Sequence, residues 1–158
     1  KHPEKHDAMS QLLAFQTASM MRGVVEHGTG ARLKSTAWYN LDFPVAGKTG
    51  TTNNHSDAWF VGYTPMLTVG VWVGCDDRSA HFRSMDNGQG GRAAMPIFGK
   101  FMKYCYTDPK LPYYAVVQKR DASDPRYTFA PPEGYSASEY GCQADPNATA
   151  ASSPGLEF

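Results

Sequence analysis

The stretch from Leu67 to Cys75 constrains the fold more than any other. Val69, Val71 and Val73 alternate there with Gly70, Trp72 and Gly74, and a period of two fits a strand. A second apolar run, Asp57 to Tyr63, precedes it across the short link Thr64-Pro65-Met66, which implies antiparallel neighbours. Val45 to Thr52 supplies a third strand. In the last strand one face is branched and apolar, and the other has glycine gaps around an indole. Those gaps invite close approach of a helix, so this strand is expected to be covered on both faces.

Helical spacing brackets the strands. Leu12, Leu13, Phe15, Met20, Met21, Val24 and Val25 recur at intervals near three and four, predicting an amphipathic helix from about Ser10 to His27 with the methionine pair as core filler. Gly28 is the expected stop, through the left-handed conformation of a C-cap. Arg32 to Asn40 reads as a turn-rich crossing closed by Phe43-Pro44. After the strands, Ser79 to Arg92 is polar and glycine-rich, a long loop. From Ala93 to about Tyr106 a second stripe of Ala94, Ile97, Phe98, Phe101, Met102 and Cys105 predicts a helix to cover the sheet, with Pro96 in its first turn or at a kink. Beyond Thr107, prolines and runs of Ala, Ser and Asp dominate. Residues 1–106 are therefore assigned to the folded lobe and 107–158 to an extended or disordered tail, with one short strand at Tyr113 to Gln118.

Composition narrows the function classes. The 158 residues suit one domain, and 41% hydrophobic content with zero formal net charge argues against wholesale disorder and against an electrostatic grip on nucleic acid. Apolar runs are too short to cross a bilayer, and no signal peptide opens the chain. Work outside the cytoplasm would need an address written on sequence not present here. Cys75, Cys105 and Cys142 form no C-x-x-C pair, so neither a zinc site nor a disulfide framework is indicated. His2 and His6 are read as part of a solvated terminus, Asp76 and Asp77 as a solvated or Arg78-paired strand end. Asn147-Ala148-Thr149 matches a glycosylation acceptor in form only.

The chemistry gathers at Val45-Ala46-Gly47-Lys48-Thr49-Gly50-Thr51-Thr52. A phosphate-binding loop needs a glycine five residues before Gly47 and a helix after Lys48. Asp42 holds the first position and Gly50 interrupts the second, which argues against nucleotide binding.

The motif Lys48-Thr49-Gly50 instead resembles the K-T-G strand of penicillin-binding proteins. Further segments carry the resemblance in order: Ser19 to Gly30, Ala46 to Thr52, Asp57 to Pro65, Val71 to Gly74 and Ala93 to Phe98. Over about Ala14 to Met102 the chain is similar to the C-terminal part of the transpeptidase domain in class A, bifunctional penicillin-binding proteins. The resemblance implies an α/β fragment of α+β type, a three-stranded antiparallel part of a larger sheet with flanking helices. It implies a serine D,D-transpeptidase that cross-links D-Ala-D-Ala stem peptides, is acylated by β-lactams and uses no cofactor or metal. By the same resemblance the parent acts on the periplasmic side of the bacterial inner membrane, with a glycosyltransferase domain upstream and membrane attachment through absent sequence.

Within that resemblance, Lys48 brings positive charge to the substrate carboxylate and the nucleophile's proton, and Gly50 lets substrate backbone lie along the strand. Thr51 offers its hydroxyl to the carboxylate and its N–H to the oxyanion hole, and Thr49 completes the substrate-binding set. Alternation places Lys48 and Gly50 on one face and Thr49 and Thr51 on the other. The family's other motifs are missing. No S-x-x-K occurs, Ser19-Met20-Met21-Arg22 ends in an arginine that cannot act as base, and Ser84-Met85-Asp86 departs from S-x-N. The nucleophile is therefore expected upstream of Lys1, and the chain alone is expected to be inactive, needing the N-terminal half of its domain. Two rivals share the lysine motif: a non-catalytic peptide-binding module, and a carboxypeptidase or β-lactamase relative.

Overall fold

The computed structural model describes residues 7–35 and 37–136. Strands β1 (Ala46–Thr51), β2 (Asp57–Tyr63) and β3 (Thr68–Gly74) form one antiparallel sheet in the order β1-β2-β3, the α+β arrangement that the alternation implies. Threonine hydroxyls set both hairpins. Thr52 Oγ1 accepts the Asp57 N–H at 3.0 Å while the Thr52 N–H donates to the Asp57 carbonyl at 3.1 Å. His55 closes that loop at φ 54°, a left-handed conformation that histidine tolerates better than most side chains. Between β2 and β3, Thr64 Oγ1 accepts the N–H groups of Met66 and Leu67 and meets the Tyr106 hydroxyl at 2.5 Å.

The core lies on one side of the sheet. Ala58 and Phe60 of β2 are fully buried there against helix α4 (Met95–Thr107), with Phe60 and Phe98 ring centroids 4.8 Å apart. Gly62 makes this close seating possible, since a Cβ there would stand 2.6 Å from the Phe98 ring. Pro96 sits in the first turn of α4, where its missing N–H costs nothing. Of the expected stripe, Ala94, Phe98, Met102 and Cys105 are buried, whereas Ile97 and Phe101 face outward, because a helix laid on one sheet covers only one arc of its surface. Burial of a side chain such as Phe98 stabilises by about 1.5–3 kcal/mol.

The third strand departs from expectation. Val69, Val71 and Val73 pack toward the core, but the Gly70, Trp72 and Gly74 side is open, with Trp72 43% exposed. Among the described residues no helix covers this side; the indole of Trp72 lies over Gly74, where a Cβ would stand 2.8 Å from it. Its Nε1 donates to Asp57 Oδ1 at 3.0 Å, and Trp59 stands beside it at 6.2 Å between centroids.

Helix α1 (Gln11–Glu26) starts at Ser10, whose hydroxyl accepts the Leu13 N–H. Its end differs from the expected left-handed glycine. Among the described residues Gly134 is the one glycine at positive φ. Gly28 is needed for space instead, since a Cβ there would come within 3.0 Å of the Val24 backbone. Met21 is half-buried and accepts a hydrogen bond from the Tyr63 hydroxyl, but Met20 is 70% exposed and fills no core. A short 3-10 turn (Ala31–Leu33) then leads into the crossing.

The expected long loop contains two helical turns, α2 (Met85–Gly88) and α3 (Gly90–Ala93). Where Tyr113 to Gln118 suggested a strand there is a helix, α5 (Pro112–Lys119). Pro112 starts it, Val116 and Val117 are buried by it, and Tyr113 stacks on Tyr106. Arg120 pairs with Asp42. Residues 121–136 then run back over α1, where Phe15 meets Tyr135 and Tyr63 meets Phe129, so this part of the expected tail is packed. The remainder of that tail, with Cys142 and Asn147, and the terminus with His2 and His6 lie outside the described residues.

Candidate functional site

Strand β1 is an edge strand, and register fixes what its residues face. Lys48 pairs with Val61 and Gly50 with Trp59, on the open face of the sheet. Thr49 pairs with Phe60 and Thr51 with Ala58, on the helix-covered face. The motif residues therefore share one edge but divide between its two sides. Lys48 is exposed and its Nζ donates to the Thr49 carbonyl at 2.9 Å.

A cleft of about 520 Å³ opens on the threonine side, lined by Thr29, Arg32, Thr49, Thr51, Gln89 and Arg92 among others. Thr29 and Thr49 hydroxyls approach to 3.3 Å, joining the turn after α1 to β1. Thr51 Oγ1 accepts the Gly90 N–H at 3.0 Å. Gly90 lies flat on the strands: a Cβ there would stand 2.2 Å from the Trp59 carbonyl oxygen and 2.6 Å from that of Gly50.

The backbone polarity of β1 follows from its hairpin. The Thr52 N–H points at β2, so the alternation of an antiparallel ladder turns the N–H of Thr51 toward the unpaired edge. Beside the cleft there is thus a backbone donor, an exposed ammonium across the strand and several hydroxyls. Such a set suits a peptide carboxylate or an oxyanion.

The structure places the sequence-predicted Lys48, Thr49, Gly50 and Thr51 together on β1, and Thr29, Arg32, Gln89 and Arg92, which sequence reasoning did not single out as site residues, line the cleft beside them. The one local signal for the last pair was Gly90-Gly91, whose lack of side chains permits this seating. Lys34 was also missed. Its Nζ donates to the Phe43 carbonyl at 2.6 Å, and burial lowers its pKa, with Arg22 adding to the shift and Glu26 and Asp42 opposing it. Asp77 at the end of β3 caps its own turn, taking the Ser79 N–H at 2.9 Å, which holds its carboxyl below the usual range. Among the described residues no three His, Cys, Asp or Glu side chains are grouped for a metal.

Residues 1–103 match the penicillin binding protein transpeptidase domain. Penicillin-binding protein 1A of Aquifex aeolicus is 40% identical over 101 residues, which cover 64% of this chain and 13% of that protein. Its counterpart from Pseudomonas aeruginosa is 37% identical over 95 residues, covering 60% and 11%. The crystal structure of penicillin-binding protein 1A from Haemophilus influenzae superposes with a TM-score of 0.54 at 28% identity, over 64% of this chain and 15% of that one. The chain belongs to the penicillin-binding protein transpeptidase domain family, on the class A side of it, and spans about an eighth of the length of the first of these relatives.

Proposed function

We propose that this chain forms the substrate-binding wall of a peptidoglycan D,D-transpeptidase. The observation that carries the reading is the unpaired β1 edge, with the Thr51 N–H turned outward between Lys48 and the cleft. A stem peptide ending in D-Ala-D-Ala adds along this edge as an extra strand, which Gly50 leaves unobstructed. Lys48 attracts the terminal carboxylate and biases the proton of the attacking hydroxyl, and the hydroxyls of Thr49 and Thr51 orient the peptide. The Thr51 N–H donates to the carbonyl oxygen as it becomes an oxyanion. The serine oxygen bonds to the penultimate carbonyl carbon, the terminal D-Ala leaves as its amine, and an amine of a second stem then displaces the serine. β-Lactams acylate the same serine by opening their ring amide.

That serine and its base lie on parent sequence outside this chain. The open face carrying Trp59, Val61 and Trp72, each 40–45% exposed, is the seat for the rest of the domain, since an apolar patch of this kind on a sheet asks for cover. No described helix is long and apolar enough to cross a membrane; the parent works outside the cytoplasm, anchored through other sequence. The chemistry needs neither metal nor cofactor.

The test is labelled penicillin offered to this chain alone and to the intact parent. Label on the parent, lost in Lys48→Ala and absent from the isolated chain, is the expected pattern. Covalent label on any serine of this chain overturns the division of labour.

A further inference from the structure

The segment after α5 is tied to the fold differently from what precedes it. It leaves the helix through Arg120, which takes the left-handed conformation at φ 48° and whose guanidinium pairs with Asp42. A side chain other than glycine holds that conformation only where its surroundings impose it, so the backbone turns here at an anchored point. Ahead of the turn, α5 buries Val116 and Val117. After it, none of residues 121–136 is fully buried.

Hydrogen bonding shows the same break. Among the described residues, the hydrogen bonds of residues 121–134 run only within the segment 121–135. Asp121 Oδ1 accepts the Ser123 N–H at 2.9 Å, Asp124 Oδ2 accepts from the Arg126 guanidinium at 2.7 Å, the Tyr127 N–H returns to the Asp124 carbonyl and the Tyr135 N–H to that of Pro132. Pro125, Pro131 and Pro132 have no N–H to offer. What joins the segment to the body is packing at spaced points: Tyr127 against the core, Phe129 edge-on to Tyr63 at 5.7 Å, and Tyr135 edge-on to Phe15 at 4.9 Å. Between those points a gap of about 560 Å³ remains, lined by Phe15, Ala18, Tyr63, Phe129, Pro131 and Pro132 among others. Packed interiors leave few voids larger than a water molecule, so this segment bridges α1 rather than seating on it.

We infer that residues 121–136 form a strap that opens as one unit while the rest of the fold stays closed, hinged at Arg120 and uncovering the Phe15–Tyr63 face. Opening of residues 121–134 breaks no hydrogen bond to the sheet or to α1, and the bonds inside the strap travel with it. Few buried contacts and no shared ladder place a segment at the low end of local opening free energies. Its prolines stiffen it, so it moves as a piece. The face beneath stays assembled when the strap leaves, because the Tyr63 hydroxyl has its partner on α1, Met21 Sδ at 3.5 Å, and not on the strap. The inference stands apart from the transpeptidase reading, since no residue of the strap lines the cleft beside β1.

The experiment is native-state proteolysis of the full chain with trypsin, read by mass spectrometry at Arg126 in the strap and at Lys100 and Lys103 in α4. Cleavage needs a locally unfolded stretch, so its rate follows the population of the open form when reclosing is fast. Cutting after Arg126 is expected to be about tenfold faster or more than after either lysine. Phe129→Ala should speed cutting after Arg126 by roughly 3- to 10-fold, the size of one lost aromatic pair, and leave the lysines unchanged. Gly90→Ala, whose added Cβ meets the β1–β2 ladder, should do the reverse, with faster cutting at Lys100 and Lys103 and no gain at Arg126. Should Gly90→Ala fail to fold, urea well below the unfolding midpoint replaces it, because cutting through a small opening rises less steeply with urea than cutting through global unfolding. Equal wild-type rates at the three sites overturn the strap. So does a Phe129→Ala chain cut like wild type at Arg126, or cutting at Arg126 that rises in parallel with the lysines in Gly90→Ala or in urea.

Discussion

Replacing Gly90 by alanine tests whether the cleft is built by backbone lying on backbone. The added Cβ would stand 2.2 Å from the Trp59 carbonyl oxygen and 2.6 Å from that of Gly50. Both atoms belong to one rung of the β1–β2 ladder and cannot swing aside as a side-chain tip would. Overpacking of this kind costs about 1–3 kcal/mol. Lifting α3 to relieve it breaks the bond from the Gly90 N–H to Thr51 Oγ1, a further ~1 kcal/mol. The sum, about 2–4 kcal/mol, corresponds to roughly a 30- to 700-fold loss in the folding equilibrium. Gly23→Ala is the control, because a Cβ there meets nothing within 4 Å inside α1 and alanine is favoured in a helix by about 0.5–1 kcal/mol. Urea unfolding followed by tryptophan fluorescence should separate the two variants by about 2.5–5 kcal/mol, the sum of these effects. Gly90→Ala indistinguishable from wild type, or Gly23→Ala destabilised, would refute the reasoning.

The hairpin at Thr64 gives a second test. Thr64→Val removes the acceptor for two backbone N–H groups and the partner of the buried Tyr106 hydroxyl, and should cost about 1–3 kcal/mol. Thr64→Ser keeps the hydroxyl and should stay closer to wild type; equal stability of Val and wild type in urea counts against this account. Lys34 adds a pH test. Its folded pKa lies below 10.5 because of burial, so between that lowered value and 10.5 the unfolded chain binds more protons and stability rises with pH. Lys34→Met should therefore gain on wild type at neutral pH and lose that advantage as pH climbs toward 10.5. Urea midpoints whose difference is constant across this range would exclude the effect.

How far the fold was legible depended on how local its causes are. The valine alternation of β3, the short Thr64 link and the apolar spacing from Leu12 to Val25 each act within a few residues of their neighbours, and the sheet and α1 follow from them. Coverage of the sheet was not local. The glycines around Trp72 read as a gap for a helix, whereas in the assembled sheet the indole lies over Gly74 of its own strand. At α5, Tyr113 to Gln118 has the tyrosines and valines of a strand, but Pro112 starts a helix and the core takes both valines from one face. The lysine motif stood out because its residues are consecutive on one strand. The placing of Arg32 and Arg92 on one cleft was not legible, since it depends on α3 settling on strands far from it in sequence.

The packing of residues 121–136 against α1 also sets which end of that helix is kept away from the cleft. Phe15 and Tyr135 are in contact at 4.9 Å between centroids, so the first half of α1 and the segment ending at Tyr135 share one side. The cleft sits beyond the other end of that helix, about 17 Å along its axis from Phe15 at 1.5 Å per residue to Glu26. A label carried on the first turns of α1 or on residues 121–136 would thus stand clear of the cleft.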